Sequence, residues 1–173
     1  MALQRLAKYR VEVKWAMIII AATWVWAGME RLCGLHDEHI EQMRFYTNFF
    51  ILPFVFLYMG ALIDKRRSDY RGRIVFKQGF RTALVVTGLL TVLAPVSQYV
   101  THTVISPHFF DHAVAYVVAQ GVLPEERARE FFSLGNYIRQ TMFSTPIFGL
   151  LVAVFAALIV PKIGRNTPKG HGN

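Results

Sequence analysis

The chain carries a single cysteine, Cys33, among its 173 residues, which excludes an intrachain disulfide and any cysteine-based metal framework. Charge is scarce too. Charged residues make up 17%, against about a quarter in soluble domains. No H-E-x-x-H pair, glycine-rich phosphate loop or dinucleotide fingerprint occurs, and no nucleophile stands beside an oriented base in a recognisable pattern. No Gly/Ser-rich linker, low-complexity block or internal repeat divides the chain. Nothing calls for a cofactor.

What is present is apolar. Hydrophobic residues reach 54% and the mean hydropathy is +0.34. A hydrocarbon layer roughly 30 Å thick needs about 20 residues of helix, and four runs qualify, at approximately 15–34, 47–63, 82–104 and 142–160. So many apolar runs cannot all hide in one small soluble core. The expected fold is all-α: a polytopic membrane protein with four transmembrane helices in an antiparallel bundle. One domain covers 1–163, and the Gly-, Pro- and Asn-bearing tail over 164–173 reads as disordered and cytoplasmic. The first run has a rival reading as a cleaved secretory leader, with Val25, Trp26 and Ala27 loosely fitting a cleavage site. Three tryptophans, continuation to Met29 and Glu12 in the leader favour a retained span.

Basic residues resist translocation, so their distribution sets orientation. Four precede the first span (Arg5, Lys8, Arg10, Lys14), seven lie between the second and third (Lys65, Arg66, Arg67, Arg71, Arg73, Lys77, Arg81), and three follow the fourth (Lys162, Arg165, Lys169). The other two connections hold most of the acids. Both termini are therefore expected in the cytoplasm, in a bacterial inner membrane. The net charge of +8 is a topology signal and requires no nucleic-acid partner.

That orientation places five of six histidines outside. His36 and His39 lie in GLHDEHIEQMR, and His102, His108 and His112 in VTHTVISPHFFDHAVA. Imidazole is a common zinc or copper ligand, and His36 with His39, or His108 with His112, sits at helical spacing. The spacing is permissive but has no specific framework. The expected role is a wet rim at the lipid boundary, where histidine is tolerated as an amphipathic residue. The connection around it predicts two short amphipathic helices on the outer side, about 107–120 and 124–134. Ser106 caps the first with Pro107 at its first position, Gly121 ends it, and Glu125 pairs with Arg129 in the second.

The centres of the four spans carry no ionisable residue, which argues against a proton- or ion-coupled transporter. Glu30, Arg31 and Arg139 sit near the outer boundary, within reach of headgroups or of one another. Polar residues such as Thr23, Thr47, Asn48, Ser97, Gln98, Ser144 and Thr145 gather in the outer half. Hydrogen bonding within and between helices is their expected use, with an outward-opening polar pocket as the alternative. Small residues recur every fourth position, at Gly79, Ala83 and Thr87 on the third span and at Gly149, Ala153 and Ala157 on the fourth. Such rows let backbones approach closely, so these two spans are expected to pack together; the rival is a contact with another subunit. Arg73, Lys77 and Arg81 recur at the same interval and predict one basic stripe that contacts anionic lipid.

The segments RLCGLHDEHIEQ, ISPHFFDHAVAY and NYIRQTMFSTPIFGLLVAVFAALIVPK resemble an uncharacterised family of small four-span bacterial inner-membrane proteins, a domain of unknown function typical of Bacteroidota. The resemblance covers nearly the whole chain. It implies a four-helix membrane protein and brings no catalytic or binding residues with it. The leading functional expectation is a non-enzymatic multi-pass protein that acts through lipids, a homo-oligomer or other membrane proteins. The second is an accessory or transport factor for an anionic lipid-linked molecule; the third is an outer-face metal-binding protein using His36, His39, His108 and His112.

Overall fold

A computed structural model describes residues 8–163, so the tail expected from residue 164 onward lies outside the described residues. Helix α1 spans Arg10–Leu32. Helix α2, Ile40–Thr47, passes through a 3-10 turn at Asn48–Phe50 into α3, Ile51–Ser68. Pro53 explains that tightening, because it has no N–H to return to the preceding turn. Helix α4 covers Phe76–Val100 and continues as a π turn, Thr101–Ile105. The short α5, Phe109–Ala119, and α6, Glu125–Phe131, precede α7, Leu134–Ile159. There is no strand among the described residues.

Four of these helical stretches, Arg10–Leu32, Ile40–Ser68, Phe76–Ile105 and Leu134–Ile159, are long and apolar enough to cross a membrane. Each helix outruns the apolar run that announced it. The extra turns come from polar ends: α7 starts at Leu134 because the Ser133 hydroxyl accepts the Asn136 N–H at 3.4 Å. At the other boundary, Gln78 Oε1 accepts the N–H of extended Val75 at 3.1 Å and starts α4. Between α3 and α4 the backbone turns through Arg71 (φ 50°) and Gly72 (φ 85°), where glycine relieves the strain of the left-handed region.

All four long helices contribute to one core. Ile19 of α1, Leu62 of α3, Val86 of α4 and Val152 of α7 meet there. Helix α4 is the hub: it packs most extensively on α7 and also on α1 and α3, while α1 and α7 scarcely touch. The seam between α4 and α7 is built from small residues, and Gly79, Ala83, Thr87, Gly149, Ala153 and Ala157 are all buried. A Cβ on Gly79 would lie 3.6 Å from Ala157, and one on Gly149 only 2.5 Å from Thr87 Cγ2. The start of α4 thus meets the end of α7, and this pair runs in opposite directions.

Tyr58 of α3 is fully buried, and its hydroxyl lies 2.9 Å from Thr87 Oγ1. Thr87 donates its own proton to the Ala83 carbonyl at 3.0 Å. Tyr58 must therefore be the donor between them. A second close approach brings Trp15 of α1 against Gly60 of α3, where a Cβ would fall 2.4 Å from the indole ring. Outside this core the helices display large apolar side chains, among them Leu32, Phe56, Val92 and Phe143. In water such a belt would aggregate; in a bilayer it meets acyl chains.

The seam yields a direct test. Gly149→Ala forces its methyl into Thr87 and is expected to destabilise the protein by about 1–3 kcal/mol. Gly88→Ala, on the same hub but with nothing near the added atom, leaves stability unchanged or slightly raised. Thermal unfolding of both variants in detergent distinguishes a close-packed seam from a loose one.

Candidate functional site

Two polar clusters close the two ends of the bundle. At the histidine end, Glu30 on the last turn of α1 points inward and is buried. Its Oε1 accepts the Trp26 indole N–H at 2.8 Å and the Thr47 hydroxyl at 2.6 Å. Its Oε2 lies 3.5 Å from His36 Nε2. His36, also buried, places Nδ1 2.9 Å from the Ser106 hydroxyl. His112 Nδ1 in turn donates to the His36 carbonyl at 3.0 Å, and Arg31 donates to the Ile105 carbonyl. These contacts join α1, the turn after it, the end of α4 and α5.

The sequence expectations at this end need correction. Glu30 pairs with neither Arg31 nor Arg139; Arg139 reaches Asn136 instead. Ser106 does not cap the outer helix, because α5 starts later, at Phe109 with His108 at its cap position; the Ser106 hydroxyl meets His36 instead. Gly121 adopts φ 66° just past α5, and Arg129 pairs with Glu125 at 2.8 Å. The four histidines of the metal reading are not assembled. His36 is internal while His39, His108 and His112 are exposed, and among the described residues no group of three or more His, Cys, Asp or Glu side chains is placed to hold a metal ion. His102 is likewise no part of a wet rim. It is buried among Phe109, Phe110 and Tyr137, with ring centroids 4.5 to 5.2 Å away.

The order Ser106, His36, Glu30 has the form of a nucleophile, base and carboxylate. Ser106 is only 4% exposed, however, and lines neither of the clefts described below. The chain of contacts serves as a tie between helices.

At the opposite end, Lys65 of α3 is 4% exposed. Its ammonium meets Glu12 of α1 at 2.9 Å, Asp69 at 2.6 Å and the Lys8 carbonyl at 2.9 Å. Glu12 is itself buried. Lys14 pairs with Asp64, which also accepts the Trp15 indole N–H at 2.9 Å. Arg66 donates to the carbonyls of Val160 and Ile163 at 3.2 and 2.7 Å, closing the last turn of α7. Two of the seven cations between spans two and three are thus structural. The remaining five, Arg67, Arg71, Arg73, Lys77 and Arg81, are exposed.

The basic stripe is also shorter than its spacing implies. Arg73 lies in the turn before α4, since Val75 is extended and the helix begins at Phe76. Only Lys77 and Arg81 share the helix; Arg81 lines a shallow cleft of about 160 Å³ beside Lys8, Glu12 and Lys65.

Residues 14–162 match the family model described as "Protein of unknown function (DUF4199)". The chain belongs to this family. No curated protein and no solved structure matches it. The DUF4199 match covers all four apolar helices almost completely, and both end clusters fall within it except for Lys8, Glu12 and Ile163.

Sequence reading missed the two buried acids. Their signals were local: Glu30 follows Trp26 by one helical turn, and Glu12 is the lone acid in a basic leader. Lys65→Met alone leaves Glu12 buried without its cation and is expected to destabilise by about 3–5 kcal/mol. Adding Glu12→Gln recovers most of that loss, as thermal unfolding in detergent will show. At the other end, His36→Ala strips partners from Ser106 and Glu30 and is expected to lose about 1–3 kcal/mol. Hydrogen exchange should then quicken at residues 33–39 and 101–106 while the α4/α7 seam stays protected.

Proposed function

We propose that this chain is a non-enzymatic multi-pass protein of a bacterial inner membrane that works by holding anionic lipid heads at its basic end. The observation that carries the reading is the division of labour among the cations from the last turn of α3 to the start of α4. Lys65 and Arg66 are tied into the bundle, whereas Arg67, Arg71, Arg73, Lys77 and Arg81 are exposed together at one end of it. Cations near an anionic membrane surface each contribute about 1 kcal/mol. Five, spread over the last turn of α3, the connection after it and the start of α4, form a surface for phosphate-bearing headgroups.

The same charge asymmetry places the basic end and both termini in the cytoplasm. The acidic, histidine-bearing end then faces outward, and the apolar belt is available to a second copy or another membrane protein. A narrower version, service to an anionic lipid-linked molecule, uses the same cations and differs only in what the phosphate is attached to.

Native mass spectrometry of gently extracted protein tests the reading. Anionic phospholipid is expected to be retained over phosphatidylcholine. Replacing Arg73, Lys77 and Arg81 by glutamine should lower that retention about tenfold or more. Equal retention of neutral lipid, or no change in the triple variant, sinks it; a stoichiometric co-purifying polypeptide points to the protein-partner role instead. Orientation has its own check in the exposed Cys33. A membrane-impermeant maleimide is expected to label it in intact spheroplasts, and labelling only after lysis reverses the topology.

A further inference from the structure

Helices α1 and α7 both lean on α4 yet scarcely touch each other, and toward the histidine end the space between them is a cleft of about 190 Å³. Gly149 meets Thr87 at a close approach of α4 and α7; one turn nearer the start of α7, Thr145 and Ser144 line the cleft. Pro95 and Pro146 flank this stretch, and neither has an N–H for the carbonyl one turn back, so both helices are weakened where the gap opens.

The lining has two characters. Thr23, Ser97, Gln98, Thr141, Ser144 and Thr145 offer hydroxyls and one amide, while Ile19, Leu90, Phe54 and Phe148 are apolar. No charged side chain lines it. A charged head would enter hydrocarbon depth without a counter-ion, which is prohibitive. The amide of Gln98 is half satisfied: its Nε2 donates to Thr141 Oγ1 at 2.9 Å, and its Oε1 is buried without a partner. A buried acceptor left unpaired is costly and calls for a donor.

We infer that this cleft binds the uncharged hydroxyl head of a lipid alcohol, an amphiphile of the diacylglycerol or polyprenol type. The head bonds to the Ser and Thr hydroxyls that line the cleft, and supplies an O–H to Gln98 Oε1 when the amide turns that oxygen, packed against protein as the cleft stands, toward the ligand. A hydroxyl both donates and accepts, so it satisfies the amide in either orientation and can bond to the neighbouring Ser and Thr side chains. Size sets the division of the ligand. About 190 Å³ is below the range of roughly 300–1,000 Å³ that encloses a whole drug-sized molecule. It takes a head and the first carbons, leaving the chains in the bilayer. Phe148, 55% exposed at the margin of the cleft, marks the way in from the lipid side.

The test uses the full-length protein in phosphatidylcholine vesicles and a diacylglycerol with a diazirine near its head. Photolysis is expected to label α4 near Gln98 or α7 within residues 141–148. An excess of unlabelled diacylglycerol or of polyprenol should abolish the labelling, and the better competitor identifies the natural source of the hydroxyl. Gln98→Leu should reduce labelling about tenfold, the effect of losing one hydrogen bond to a buried acceptor. If that variant fails to fold, Ser144→Phe fills the cleft without touching the amide and should have the same effect at an unchanged melting temperature. Labelling spread over all spans, insensitivity to both variants, or equally good competition by phosphatidylglycerol overturns the assignment; the cleft then holds only water or acyl chain.

Discussion

The close approach of α4 and α7 is the constraint to which the rest of the bundle adjusts. Lipid provides no hydrophobic force to bring helices together, so contact between backbones must do it. Gly149 against Thr87 and Gly79 against Ala157 bring the two helices within that range. The cost of putting a threonine hydroxyl in that seam is met locally, by Ala83 on its own helix and by Tyr58 from α3. One seam therefore fixes three helices. Because α4 gives this face to α7 and others to α1 and α3, α1 and α7 are held apart, and the cleft between them follows from the packing.

The two ends are closed by different chemistry. At the basic end the ties are ionic: Lys65 between Glu12 and Asp69, and Lys14 on Asp64. At the histidine end they are hydrogen bonds gathered on the Glu30 carboxylate and running through His36 to Ser106, with aromatic contacts around His102. Both sets join segments far apart in sequence, which is what a bundle needs where its helices leave the hydrocarbon and can fray into water.

The number of spans, their approximate places and the small-residue rows were legible in the sequence, because each rests on a local pattern: a run of apolar residues or a four-residue interval. Arg73 shows where a local pattern misleads. It continues the interval of Lys77 and Arg81, yet Val75 breaks the helix between them. What could not be read was which side chains meet across the bundle. Glu12 and Lys65 are 53 residues apart, and nothing in either neighbourhood names the other. Ser106 beside Pro107 reads as a helix cap by every local rule, yet the helix starts at Phe109 and the Ser106 hydroxyl meets His36 from another connection. The outer polar residues fitted packing and pocket alike; the gap between α1 and α7 that separates these readings is a property of three helices at once.

The ion pair at the base of α1 also bears on the order of assembly. Until translation has delivered Lys65, Glu12 has only the cations of its own leader beside it and lacks the tie that holds it in the finished bundle. Helix α1 thus gains this tie only after the far end of α3 has been made.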